Sequence, residues 1–312
     1  MTELSEQDKQ SSTTELDAQL AEGKRDVNSA YARYVLFVLI VVYIFNFIDR
    51  QIISILAEEI KADLGIGDAE IGFLYGTAFA IFYAVFGIPL GKLADVWNRK
   101  SLIAIGLSFW SLMTALSGFA KSYTGLAICR FGVGVGEASA TPAAFSMLSD
   151  YFSPRVRATV LAIYSSGIYI GAGIGLFLGG AVVEAWYAWY PDPGMAPLGI
   201  KPWQAAFMAV GLPGLMVAVW VWTIKEPIRG ASEGLLTTPH PTPFKATQNT
   251  LFSVLPGLSL VTLYQAGGMR AVVENLVALA IICGLFFLFY TLMPTALQWI
   301  ALGAGVYITV SW

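Results

Sequence analysis

Charge is scarce in this chain, and the scarcity excludes a water-soluble globule. Asp, Glu, Lys and Arg make up 12% of the 312 residues, while apolar types make up 56%. A soluble domain carries about 25% charged residues, so composition alone predicts an integral membrane protein. Cysteine is nearly lacking as well. Cys129 and Cys283 each lie in an apolar stretch, which leaves no disulfide framework and no metal-ligand spacing. The lone histidine, His240, falls in a Pro/Thr-rich loop. A histidine-based metal centre is therefore excluded, and neither metal nor cofactor is expected. There is no basic excess: 18 Lys and Arg face 21 Asp and Glu, for a net charge of −3. That removes the electrostatic footprint of a nucleic-acid partner. The period-two alternation of a membrane barrel is missing, and the apolar runs are too long for strands. The polar N-terminal segment has neither an apolar core nor a small-residue cleavage site. Residues 1–33 thus read as a disordered cytosolic tail and not as a cleavable signal peptide.

What the chain does have is a series of apolar runs, near 34–57, 69–91, 101–120, 124–148, 158–186 and 203–224. Each is long enough for a helix to cross a hydrocarbon core about 30 Å thick. The short polar breaks between them predict consecutive helices of one bundle over 34–224. A polar, Pro-containing stretch follows, and then an apolar segment over 251–264 that is too short to span and is interrupted by Pro256. Residues 225–271 accordingly read as a cytosolic and interfacial linker. Two further apolar runs, near 272–294 and 296–312, predict two more helices, and the chain ends at Trp312 inside the second, which reads as a truncated product. Basic residues set the orientation. Lys24, Arg25, Arg33, Lys92, Arg99, Lys100, Arg155, Arg157, Lys225 and Arg229 all fall on the side of the N-terminus, against Lys61, Lys121 and Lys201 on the other. By the positive-inside rule the N-terminus is cytosolic, in a multi-pass protein of an inner or plasma membrane.

Two charges break the first run. Asp49 and Arg50 lie in the middle of it, where insertion scales put the cost at roughly 2.5–3.5 kcal/mol each. They cannot neutralise one another, because neighbours on a helix point about 100° apart and only residues three or four apart face each other. Each needs a partner on another helix or a polar cavity. The fourth run supplies candidates in Arg130 and Glu137, seven apart and so on one face. At 1.5 Å per residue, Asp49 sits roughly 22 Å from the inner end of its helix and Arg130 roughly 9 Å from the outer end of its own. In a core about 30 Å thick those depths match. The expected arrangement is a cluster of Asp49, Arg50, Arg130 and Glu137 around a cavity. A buried ion-pair set that only locks two helices together is the competing reading. It is weakened because replacing such pairs by apolar residues is often neutral or stabilising.

The second run ends in Gly91-Lys92-Leu93-Ala94-Asp95-Val96-Trp97-Asn98-Arg99-Lys100. An ordinary positive-inside loop accounts for Arg99 and Lys100 but not for Gly91 or Asp95. Here the sequence resembles the major facilitator superfamily, whose loop between helices two and three reads G-x-L-x-D-x-x-G-R-K/R. Gly91, Leu93, Asp95, Arg99 and Lys100 match; Asn98 stands where the family has glycine. A narrower resemblance, to the spinster-type branch, rests on Phe47-Ile48-Asp49-Arg50, on Arg130 through Ala138, on Thr141-Pro142-Ala143-Ala144 and on Ser149-Asp150-Tyr151-Phe152. Trp203, Gly211-Leu212-Pro213-Gly214 and Glu226-Pro227 extend it.

The resemblance implies a secondary transporter that works by alternating access, with proton-linked movement of lysolipids or sphingoid lipids. Lipid preference is carried by the resemblance alone. It also implies a cytosolic gate in which Asp95 and Arg99 join Asp150, Arg155 and Arg157, against the alternative of a merely solvated loop. For the buried acids, burial raises a carboxyl's proton affinity and a nearby cation lowers it. An exchange of arginine partners during a conformational change would therefore couple Asp49 and Glu137 to protons, while Arg50 and Arg130 steer them or an anionic head group. The glycine clusters Gly132-Val133-Gly134-Val135-Gly136 and Gly171-Ala172-Gly173 lack the strand-then-helix context of a dinucleotide site. Gly132, Gly134, Gly136, Gly167 and Gly171 are assigned to close helix packing. Phe79, Phe82, Tyr83, Tyr164 and Tyr169 either line an amphipathic cavity or serve as packing and interface anchors.

The fold class is thus an all-α membrane protein: the six-helix N-terminal half of a major facilitator bundle, with about two further apolar helices. That last pair is either the start of the second half or an inserted hairpin, the hairpin being favoured. The expected partners are the lipid bilayer, protons, a lipid or small-molecule substrate, and a second transporter half in cis or as a separate chain. Two other functions stay open: an organic-anion or drug carrier on the same scaffold, and a non-transporting fragment or scaffold. An enzyme is not expected, since no nucleophile-plus-base pair or metal-ligand set falls at membrane depth.

Overall fold

The computed structural model describes Ala18 and residues 21–234, 240–255, 258–292, 303 and 306–307. Every regular element among them is helical. The first long helix, α1 (Ala30–Ile55), begins where the Ser29 hydroxyl accepts the Ala32 N–H at 3.0 Å, a serine cap on an otherwise apolar segment. A short helix α2 (Ala57–Leu64) ends at Gly65 in the left-handed region, φ 64°. Next come α3 (Asp68–Val96), α4 (Arg99–Ser117), α5 (Tyr123–Glu137), α6 (Ala140–Tyr151), α7 (Pro154–Ser165), α8 (Gly167–Trp189) and α9 (Pro202–Thr223). Beyond them lie α10 (Pro243–Val254) and α11 (Leu258–Leu292). Within α3 one wide turn, Phe73–Thr77, is π-helical.

Six segments among the described residues are long and apolar enough to cross a membrane: α1, α3, α4, the α7–α8 pair, α9 and Leu258–Phe289 of α11. The run over 124–148, expected as one helix, is two. Helices α5 and α6 lie end to end across Ala138 and Ser139, with 15 and 12 residues. Two local causes act there. Gly132, Gly134 and Gly136 are poor helix formers, and the Ser139 hydroxyl donates back to the Gly136 carbonyl at 2.8 Å, competing with the backbone ladder.

Small residues set the closest helix contacts. A Cβ built on Gly171 of α8 would stand 2.5 Å from the Ile44 carbonyl of α1, and one on Gly167 would meet Tyr43 at 3.3 Å. On α5, Gly132 faces Met113, Gly134 faces the Phe79 carbonyl and Gly136 faces Trp110 at 2.8 Å or less. The core divides into two apolar clusters. One holds Leu39, Tyr43, Trp110, Val133 and Tyr164; the other holds Ile48, Ile52, Leu126, Trp203 and Phe207. Asn46 and Asp49 of α1 sit where the first gives way to the second.

One expected boundary changes. Residues 21–26 are helical and Asn28 donates its N–H to the Tyr151 carbonyl at 2.9 Å, so part of the expected disordered tail 1–33 is docked on the bundle. Residues 1–17, 19 and 20 of that tail lie outside the described residues. The linker boundary expected at 271 lies three residues past Gly268, where non-helical backbone (φ 66°, ψ −162°) divides α11 into two helical segments. The expected helix over 296–312 lies mostly outside the described residues. The residues of it that are described lie against α11, the Tyr307 hydroxyl donating to Asn275 Oδ1 at 2.7 Å.

Candidate functional site

The site is assembled from three helices in the middle of the bundle. Helix α1 contributes Asn46, Asp49 and Arg50, helix α5 contributes Arg130 and Glu137, and helix α4 adds Trp110, Ser111 and Thr114. Asn46, Asp49, Arg130 and Glu137 are 1% exposed or less. Asp49 and Arg50 turn to different sides, as their adjacency on a helix requires. Arg50 Nε donates to Glu137 Oε2 at 2.7 Å. Arg130 Nη1 donates at 3.3 Å to the backbone carbonyl of Asp49 and not to its carboxylate. The four ionisable residues expected to cluster are therefore brought together, with formal charges that cancel. Glu137 is the last residue of α5, so the break at Ala138–Ser139 places it.

This cluster is incompletely satisfied. Arg130 Nε and Nη2 are buried with no acceptor at hydrogen-bond distance in the protein. Trp110 and Thr114 stand beside Asp49, and Asn46 beside Glu137. Each unpaired nitrogen costs about 1–3 kcal/mol when buried, which is a poor arrangement for a lock and a usable one for a site that exchanges partners. Arg50 is the member that reaches the open face, its side chain 25% exposed. Its Cζ lies 4.6 Å from the Phe79 ring and 4.9 Å from those of Phe47 and Tyr83, an aromatic collar of cation–π geometry. Of the other aromatics, Tyr164 is buried and stacked on Tyr43 at 4.4 Å, Phe82 stacks on Phe131 at 4.5 Å, and Tyr169 points away, 80% exposed.

A second charged cluster closes the N-terminal end of the bundle. Arg99, at the start of α4, is 1% exposed and uses its whole fork. Nε donates to Glu226 Oε1 at 2.7 Å, Nη1 to Asp150 Oδ2 at 2.5 Å and to Ser146 Oγ at 2.9 Å, and Nη2 to the Pro227 carbonyl at 3.0 Å. Glu226 also accepts the Lys100 N–H at 2.8 Å, at the positive end of α4. Asn98 caps α4, its Oδ1 accepting the Ser101 N–H at 2.8 Å, which gives the residue standing at the family's glycine position a job of its own. Arg229 donates to the Ala94 and Trp97 carbonyls at 2.9 Å and closes the end of α3. Burial, and then the charge of Arg99, push its guanidinium below the ordinary value. Arg157 donates to Glu233 at 3.0 Å and to the Ser149 carbonyl at 2.9 Å.

The expected gate residues are thus only partly joined. Arg99 and Asp150 meet, and Arg157 binds the linker at residues 232–233. Asp95 is exposed and, among the described residues, makes no hydrogen bond or ion pair, while Lys100 takes part through its backbone. Gly91 approaches Pro142, a built Cβ standing 4.0 Å away. Sequence reasoning missed Asn46, Trp110 and Thr114, and it left Glu226 out of the gate. Asn46 had a signal, being an amide inside a spanning run. Glu226 stood out only as part of the Glu226-Pro227 pair of the resemblance, and its partner lies 127 positions away.

The family model described as Major Facilitator Superfamily matches residues 39–311. The chain belongs to that superfamily. It is an integral, multi-pass membrane protein, and within the superfamily it is spinster-like. An "MFS-type efflux pump" of Mycolicibacterium smegmatis is 35% identical over 181 residues, 58% of this chain and 39% of that protein. "Protein spinster" of Drosophila melanogaster is 30% identical over 197 residues, 63% of this chain and 30% of that one. Among solved structures, a bacterial homolog of the human lysosomal transporter spinster, in an inward-facing and occupied conformation, superposes with a TM-score of 0.60 at 25% identity. It matches 91% of this chain and 72% of its own. The chain spans well under half the length of these two curated relatives.

Proposed function

We propose that this chain forms the N-terminal, six-span part of a secondary active transporter that moves an amphipathic anion, lysolipid- or sphingoid-like, by proton-coupled alternating access. The observation that carries the reading is the Arg50–Glu137 pair. It is a charge pair at the open face of a buried cluster, flanked by Phe47, Phe79 and Tyr83, with Asp49 and Arg130 behind it. An anionic head group competes with Glu137 for the Arg50 guanidinium, while the collar of rings accepts an apolar stem. A buried carboxylate separated from its cation binds a proton more readily. Substrate arrival at Arg50 and protonation of Glu137 are thereby linked, with Asp49 and Arg130 as the second acid–base pair in the relay. The N-terminus is placed in the cytosol, so that the Arg99–Asp150–Glu226 knot forms the cytosolic gate. A second transporter half, in cis or as a separate chain, supplies the opposing cavity wall. The likeness to spinster proteins supports the lipid class.

The M. smegmatis efflux pump favours a second reading, a drug or organic-anion carrier on the same scaffold. The test is uptake into liposomes driven by a pH step, with radiolabelled lysolipids set against small organic acids. Lysolipid uptake that is lost in both Asp49→Asn and Glu137→Gln is the expected result. Full pH-driven uptake by both variants sinks the proton assignment. Preference for the small acids favours the second reading, and no substrate-dependent flux at all favours a non-transporting component.

A further inference from the structure

A cavity of about 570 Å³ opens at the end of the bundle opposite the N-terminus, between α2, the last turns of α8 and the first of α9. Its walls are aromatic. Trp186 and Tyr190 pack with ring centroids 4.9 Å apart and planes tilted by 48°, and Tyr187 and Trp203 complete the lining. Rings at a membrane interface usually turn their N–H and O–H groups outward to water and head groups. Here three of those donors are engaged by the protein. Trp186 Nε1 donates to the Ile200 carbonyl at 3.2 Å, Trp203 Nε1 to Asp63 Oδ2 at 2.9 Å, and the Tyr187 hydroxyl to Glu59 at 2.9 Å. Loop N–H groups at the rim are engaged too, the Ile200 N–H by the Pro197 carbonyl and the Gly199 N–H by the Ala196 carbonyl.

What remains for a ligand is therefore the rings, the Tyr190 hydroxyl and carboxylate oxygens. Lys201 is paired with Asp63, so the two acids and one ammonium leave one net negative charge, and that charge is on Glu59. An anion would meet the Tyr190 hydroxyl and the already paired Lys201, whereas an organic cation would meet aromatic rings and an acid. Aromatic walls with a nearby carboxylate are the physical recipe for holding an alkylated ammonium. The geometry points to a binding site for a quaternary or other alkylated ammonium group at this end of the bundle, with Trp186, Tyr187 and Tyr190 as its walls and Glu59 as its counter-charge. The site is separate from the Arg50–Glu137 cluster and does not depend on that cluster's role.

Calorimetric titration of the whole chain in lipid nanodiscs with tetramethylammonium tests it, against tert-butanol as a neutral molecule of similar shape. Saturable binding of tetramethylammonium and none of tert-butanol is expected. Glu59→Gln and Tyr190→Ala each weaken it about tenfold, while Tyr187→Phe, which keeps the ring, stays within about threefold. In the unsubstituted chain, tetramethylammonium also shields tryptophan fluorescence from acrylamide. Equal binding of tert-butanol, affinity indifferent to both Glu59→Gln and Tyr190→Ala, or no shielding overturns the site and leaves the rings as interface anchors.

Discussion

Two arginines in this molecule, Arg99 and Arg130, are buried almost completely and treated in opposite ways. Arg99 has Nε, Nη1 and Nη2 all bonded, to two carboxylates, a hydroxyl and a carbonyl. Arg130 has one bond, to a backbone carbonyl, and two nitrogens with no partner. Burial alone therefore says little about what a charged side chain is for. A fully satisfied guanidinium ties α4, α6 and the segment after α9 into one rigid end. A half-satisfied one, close to two acids, can change partners at small cost.

The sharpest way to break this comparison is Arg99→Met beside Arg130→Met. Removing one member of a satisfied buried charge network costs about 3–5 kcal/mol, so Arg99→Met is expected to shift chemical unfolding in detergent by that amount. Arg130→Met is expected to lose less, because its side chain makes a single hydrogen bond, while pH-driven uptake disappears. Equal losses of stability would erase the distinction drawn here. Next in size is Asp150→Asn, expected to cost about 1.5–3 kcal/mol through its bonds to Arg99 and to the Gly230 N–H. The same unfolding assay reads it. Asn98→Ala should cost about 1 kcal/mol by removing the cap of α4, whereas Asn98→Gly should cost only a few tenths. That pair asks whether the asparagine substitutes for the family's glycine by capping. Smallest is Asp95→Asn, expected within about 0.5 kcal/mol because the side chain is exposed and unbonded. A loss near that of Asp150→Asn would show that Asp95 belongs to the knot after all.

Much of the central cluster could be read from the chain. A charge inside a spanning run needs a partner at its own depth, and counting residues along α1 and α5 brings Asp49 level with Arg130. The count did not reveal which cation would bind which acid. Depth suggested Asp49 with Arg130, yet the short ion pair joins Arg50 to Glu137, and Arg130 reaches a backbone carbonyl instead. Rotation of each helix about its axis decides this, and rotation follows from packing. On α8, Gly167 and Gly171 seat that helix against α1 and so help set which face of α1 turns toward α5. The gate was legible as a motif and less so as a network. Asp95 is the acid that the motif emphasises, but Glu226, far along the chain, accepts from Arg99 and from the first turn of α4.

Composition and run length by themselves determined that this chain is a set of membrane helices, that ions sit where lipid forbids them, and where the bundle begins. Those properties are local: a stretch of apolar side chains must satisfy its own backbone wherever it lies. Only tertiary structure decided that α5 would break beside Glu137 and that Arg50 would stand in a collar of rings. These outcomes depend on which helix faces meet, and no residue's neighbours in sequence contain that information.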